Sequence, residues 1–152
     1  MQTRGVSHRR AECPVARTVD IVGDRWSLLI IRDVFDGIRR FGELRRNLGL
    51  AKNILATRLR DLVAEGILEV VPAADGSAYH EYALTAKGSE LFSVIVALRM
   101  WGEAHLFEED EPHSALLDTV SELPVTLQVT NAAGDPISAA DAFVRKVSDS
   151  PA

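Results

Sequence analysis

The sequence predicts a mainly α fold with one β-hairpin wing and a small C-terminal extension containing a further β-hairpin. Three observations carry that expectation. Before residue 66, four apolar stretches with helical spacing are separated by glycine or Asp-Gly. Between residues 67 and 84, two strand-like runs flank Asp75-Gly76, a strong hairpin-turn signal. From Thr85 to about Phe107, apolar residues again recur at helical spacing. The chain has 152 residues, 47% hydrophobic and 26% charged, which suits one globular domain with an appendage and excludes a disordered or fibrous chain.

Each element follows from local chemistry. Cys13-Pro14 opens the first helix, because proline at the first helical position gives up an N–H that has no helical partner anyway. Val15, Val19 and Val22 mark its apolar side, and Gly23 stops it. Asp24 caps a second helix, Arg25 to about Phe35. Trp26, Leu28, Leu29, Ile30, Ile31, Val34 and Phe35 are too widely spread for one stripe, so this helix is central. Phe41, Leu44 and Leu48 make a short amphipathic helix ended by Gly49, and a further helix runs from about Lys52 to Glu65 before Gly66. Two short helices joined by such a turn are a helix-turn-helix. Ile67–Val71 and Tyr79–Leu84 are the wing strands, and Thr85 caps a long helix to about Phe107.

That long helix is apolar around most of its circumference, which requires cover on two sides. Leu91, Ile95, Leu98 and Trp101 form the stripe expected at a homodimer interface. Residues 1–12 are expected to be a flexible arm, 13–107 the winged domain, and 108–152 an acidic linker and extension. In the extension, Val125–Val129 alternates like a strand, Asn131–Asp135 is a turn, and Asp141–Val147 suits either a strand or a short helix.

The net charge of −5 hides an asymmetry. Residues 1–66 hold 13 Lys/Arg and 8 Asp/Glu, whereas residues 67–152 hold 4 and 14. Taken alone, this fits a basic working face and an unevenly charged solvated surface equally well. The helix-turn-helix favours the first. On a wheel of about 100° per residue, Leu55, Leu59, Leu62 and Val63 of its second helix share one face. Thr57 centres the opposite face, with Asn53 and Ile54 beside it, Arg58 and Arg60 at the flanks and Lys52 at the tip. Asn, Arg and Ile suit adenine, guanine and a thymine methyl in the major groove. Arg39, Arg40, Arg45 and Arg46 lie just upstream, where they can neutralise phosphates.

These stretches together resemble the HxlR-type winged helix-turn-helix regulators, relatives of the MarR group. The resemblance is carried by Cys13-Pro14-Val15, Val22–Trp26, Arg40–Leu44, Ile54–Leu62, Glu65–Leu68, Glu81–Gly88 and Trp101, and covers about Cys13 to Phe107. It implies a bacterial homodimeric transcription factor with its recognition helix in the major groove and its wing reaching toward the minor groove. The dimer interface is implied to come from the N-terminal and long C-terminal helices. Two features depart from the family pattern. Val70 stands where a basic residue is usual, and the wing from Pro72 to His80 holds no Lys or Arg. The chain also continues about 45 residues beyond the long helix.

The expected partners are therefore double-stranded operator DNA and a second copy of the chain, with an effector of unnamed chemistry. A winged-helix module for protein–protein contact, without specific DNA binding, is the alternative reading. Enzyme chemistry is not expected, since neither a glycine-rich phosphate loop nor a G-x-S-x-G elbow is present. No cofactor or metal is expected. His105, Glu108, Glu109 and His113 straddle a helix end and an acidic linker instead of sharing one face. The longest apolar run is far short of the roughly 18–20 residues of a membrane helix, and the N-terminus lacks a signal-peptide core. A single cysteine points to the cytoplasm. Cys13 sits at a helix N-cap near Arg9, Arg10 and Arg17, conditions that favour a thiolate. Some HxlR-type regulators sense oxidants or electrophiles with a cysteine in this position. Cys13 is thus either such a sensor or a small residue that packs at the interface.

Overall fold

The structure, a computed structural model, describes residues 5–149. Its chain divides into two compact units, Met1–Phe92 and Ser93–Ala152. The first contains α1 (Pro14–Val22), α2 (Ser27–Phe35), α3 (Phe41–Leu48), α4 (Lys52–Ala64), β1 (Leu68–Pro72), β2 (His80–Leu84) and α5 (Ala86–Ser89). Its fold is a winged helix-turn-helix.

Buried apolar side chains from α2, α3, α4 and the start of β1 form the core of this unit: Ile30, Ile31, Val34, Leu44, Leu55, Leu59, Leu62 and Leu68. Burying each such side chain is worth roughly 1.5–3 kcal/mol. Leu55, Leu59 and Leu62 fall on one side of α4, which leaves the opposite side free. The turn between α3 and α4 rests on Gly49, whose φ of 64° lies in the left-handed region that glycine adopts without steric cost. Leu50 then enters the core and Ala51 begins the next helix.

One buried charge sits among these residues. The Asp33 carboxylate is 1% exposed, and it accepts hydrogen bonds from Arg32 Nε at 2.9 Å and Nη2 at 2.7 Å and from Asn47 Nδ2 at 2.7 Å. Its burial is compensated by these donors, and Asn47 carries the tie from α2 to α3.

β1 and β2 pair antiparallel in the register Leu68↔Leu84, Val70↔Tyr82 and Pro72↔His80. The outer edge of β2 is not bare, because Tyr82 N donates to Arg39 O at 2.9 Å. That bond fastens the residues before α3 to the wing.

The long helix expected from Thr85 to Phe107 is broken. α5 is a single turn, and α6 (Phe92–His105) follows after Glu90 and Leu91. Thr85 Oγ1 accepts from Gly88 N at 3.0 Å and donates to Gly66 O at 2.6 Å. Gly88 lies so close to Ile67, the residue before β1, that a Cβ there would stand 2.1 Å from Ile67 O. Leu91 N bonds Gly88 O, a three-residue spacing that tightens the turn before α6 begins. The helix breaks at this turn, which is pinned against Gly66 and Ile67 just before β1.

The arm expected over residues 1–12 is partly held; residues 1–4 lie outside the described residues. Ser7 Oγ and His8 N each donate to Asp20 at 3.2 Å, and Arg9 pairs with Glu65.

The second unit contains most of α6 and the extension. The division falls after Phe92, the first residue of α6. The strand expected at Val125–Val129 does not form a ladder. Two isolated antiparallel bridges occur, Leu117↔Pro124 and Thr130↔Pro136. A proline stands in each, and without an N–H it cannot extend the pairing. The turn at Asn131–Asp135 is present between Thr130 and Pro136, with Asn131 N bonded to Asp135 O at 2.9 Å. The stretch expected as a strand or helix has short 3-10 turns at Ala139–Asp141 and Val147–Asp149, with irregular backbone between them.

Candidate nucleic-acid interface

α4 presents Lys52, Asn53, Ile54, Thr57 and Arg60 to solvent opposite its buried leucines. Thr57 Oγ1 donates to Asn53 O at 2.9 Å, one turn back along α4. Arg39, Arg45 and Arg46 are also exposed, just before α3 and on it. Of these, Arg45 is steered by a bond from Nε to Leu50 O at 3.4 Å.

Two of the arginines expected at this surface are engaged by acids. Arg58 is half-buried, with Nε 3.6 Å from Asp24 Oδ2 and Nη1 3.8 Å from Asp61 Oδ2. Arg40 pairs with Asp75 at the wing tip and, through Nε at 3.6 Å, with Glu81 on β2. Its guanidinium also lies 5.5 Å from the centre of the Tyr79 ring. Arg40 therefore clips the wing to the start of α3. Asp75 accepts hydrogen bonds from the Ser77 backbone and side chain and from Arg40, which lower its pKa to about 2. The carboxylate stays ionised at neutral pH, so the charge at the wing tip is that of the Asp75–Arg40 pair. This agrees with the absence of Lys and Arg from Pro72 to His80.

Asp24 organises the other side. Its carboxylate accepts from Trp26 N and Ser27 N, both at 3.0 Å, and from Ser27 Oγ. Burial disfavours its charge, but the bonds from Ser27 and Trp26 and the nearby Arg58 outweigh that and hold its pKa below the ordinary value. α2 begins at Ser27 with Trp26 at its N-cap, two residues later than the sequence suggested, and Asp24 bonds the turn that precedes it. That turn brings Arg25 and Trp26 beside Asn53, Ile54 and Thr57 around one groove. Neither residue was singled out for DNA in the sequence; a cation next to an aromatic at a helix start was the available signal.

A match to the HxlR-like helix-turn-helix family model spans residues 21–110. The chain belongs to that family. An HTH-type transcriptional regulator of Mycobacterium tuberculosis is 44% identical over 112 residues, covering 74% of this chain and 71% of the relative. The crystal structure of PA1607, assigned as a transcription factor, is 51% identical with a TM-score of 0.85, covering 93% of this chain and 99% of that one. The redox regulator HypR in its reduced form is 30% identical with a TM-score of 0.56, covering 62% of this chain and 94% of that one. This HxlR-like chain is thus a transcriptional regulator of the helix-turn-helix type and not an enzyme.

The remaining candidates in this HxlR-like chain fall as follows. Cys13 is exposed at the N-cap of α1, but its expected cationic neighbours are partly diverted: Arg9 pairs with Glu65, and Arg17 Nε donates to Ala11 O at 2.6 Å. Leu91 and Ile95 are half-buried, whereas Leu98 and Trp101 are 52% and 61% exposed. Val15 and Val19 on α1 are exposed as well. The histidines do not converge. Trp101 and His105 rings lie 5.0 Å apart, and His113 sits 4.9 Å from Phe107 with Nδ1 3.9 Å from Glu103. No described helix is long and apolar enough to cross a membrane.

Proposed function

We propose that the chain is a sequence-specific DNA-binding regulator that acts as a homodimer in the cytoplasm, with α4 in the major groove. The observation that carries this reading is the solvent face of α4. Lys52, Asn53, Ile54, Thr57 and Arg60 are exposed there, beside Arg39, Arg45 and Arg46 and opposite a buried leucine stripe. A helix about 10–12 Å across matches a major groove about 12 Å wide. The base-reading residues are Asn53, Ile54, Thr57 and Arg60, with Arg58 held at the flank by Asp24 and Asp61. The phosphate contacts come from Arg39, Arg45, Arg46 and Lys52, with Arg40 holding the wing. Two-fold symmetry places two recognition helices about 34 Å apart.

Gel shift with genomic fragments over a salt series tests this. Binding should weaken steeply with salt, and one sequence should outcompete the rest. Asn53→Ala should reduce specific binding by roughly 1–3 kcal/mol, whereas Arg45→Ala should weaken all sequences alike and lower the salt slope by about one unit. Salt-insensitive or absent binding would favour the protein–protein reading instead. That reading draws support from a wing whose acids, Asp75 at the tip and Glu81 on β2, share one arginine, Arg40.

An oxidant or electrophile response belongs to the same proposal. Its support is the exposed Cys13 at the start of α1 and the similarity to HypR. With no second cysteine in the chain, the products are a disulfide between subunits, a mixed disulfide or an alkylated thiol. Such an adduct shifts α1 at the interface and thereby the spacing of the recognition helices. Diamide or a quinone should weaken operator binding at least tenfold, about 1.4 kcal/mol, and leave Cys13→Ser unaffected. Unchanged wild-type affinity, with modification at Cys13 verified by mass spectrometry, would reduce Cys13 to a packing role.

A further inference from the structure

We infer that Arg25, standing on Trp26, is a second contact for the sugar–phosphate strand beside the groove that α4 enters. The inference rests on the DNA-binding reading above. Arg25 and Trp26 form one wall of a groove of about 380 Å³ whose other wall is Asn53, Ile54, Thr57 and Arg58. A helix that fills a major groove has a DNA strand immediately on each side. Residues that flank the outer face of α4 therefore meet a sugar–phosphate backbone, not base edges.

The charges on this wall suit that occupant. Arg25 is exposed, and among the described residues no carboxylate pairs with it; its guanidinium lies over the Trp26 ring, with Cζ 4.9 Å from the centroid. Arg58 across the groove is held by Asp24 and Asp61, and Arg40 by Asp75 and Glu81. Arg25 thus keeps its charge available where those two are partly neutralised. The half-buried indole restricts where the guanidinium can go, so less side-chain freedom is lost on contact. The one acid at this wall, Asp24, is already bonded to Trp26 N, Ser27 N, Ser27 Oγ and Arg58. The same bonds occupy the N–H groups of Trp26 and Ser27 at the start of α2. The cation that this wall offers an anion is the Arg25 side chain.

The test uses the full chain and mixed-sequence duplex DNA, with binding followed by fluorescence anisotropy over a salt series. Arg25→Ala should lower the slope of log affinity against log salt by about 0.9 per subunit, weaken all sequences by the same factor, and leave the melting temperature unchanged. Arg25→Lys should retain the wild-type slope, since a point charge suffices for phosphate. Thr57→Ala serves as the comparison and should change sequence preference without changing the slope. A wild-type slope in Arg25→Ala, while the wild-type chain binds normally, overturns this inference and leaves the DNA-binding reading standing. A loss in Arg25→Ala confined to one sequence would also overturn it, because that marks a base contact. Absence of salt-dependent binding by the wild-type chain would overturn the DNA-binding reading itself, and this inference with it.

Discussion

Replacing Leu98 and Trp101 together by glutamate is expected to halve the mass in solution to the 16.6 kDa of one chain and to cut operator affinity by roughly 10²–10⁴-fold. Both side chains are more than half exposed in the single chain, so the substitutions leave the packing of each subunit largely intact. Within a two-fold interface, each glutamate would face apolar surface and its own symmetry mate, and burying an unpaired charge is strongly unfavourable. The affinity loss follows from geometry. Two recognition helices on one dimer bind two half-sites with a high effective concentration for the second contact, and a monomer has only the first. Val15 and Val19 on α1 are exposed too, which agrees with a second copy covering more than one helix. Light scattering gives the mass, and gel shift gives the affinity. A wild-type chain that is already monomeric at micromolar concentration would remove the homodimer from the proposal, and the palindromic operator with it.

Two glycine-to-alanine changes are expected to act with opposite sign. Gly88→Ala should destabilise the chain by about 1–3 kcal/mol, because the added Cβ would stand 2.1 Å from Ile67 O and the neighbour is backbone, not a flexible side chain. α5 would have to leave Ile67, and the bonds from Thr85 Oγ1 to Gly66 O and from Lys87 Nζ to Glu65 O would loosen with it. The second of these satisfies a carbonyl at the end of α4. Gly102→Ala meets no atom within 4 Å and lies within α6, so it should stabilise by about 0.5–1 kcal/mol through the smaller entropy of the unfolded chain. Thermal melts followed by circular dichroism read both. Equal small effects at the two positions would mean that α5 is not packed against Ile67 as described.

Many element boundaries were legible because they depend on local chemistry. Pro14 starts α1, and Gly23, Gly49 and Gly66 follow the ends of α1, α3 and α4. The leucine spacing of α4 identified its buried side and therefore its free one. Asp75-Gly76 placed the wing turn, and the ladder on either side of it formed in register. Each of these follows from backbone or side-chain preferences acting over a few residues.

The tertiary structure decided what depends on partners distant in the chain. Helical spacing alone runs on from Thr85 to Phe107, and only the contact of Gly88 with Ile67 separates α5 from α6. Alternation at Val125–Val129 permits a strand, but a strand also needs a neighbour, and Pro124 and Pro136 cannot donate the bonds that would extend one. A count of arginines treats Arg40, Arg58 and Arg25 alike. Folding brings Asp75 and Glu81 to the first and Asp24 to the second, and places the third on Trp26 beside α4. Residue type and spacing determine which charges exist and which helix carries them; the packing of segments distant in the chain determines which of those charges an acid engages.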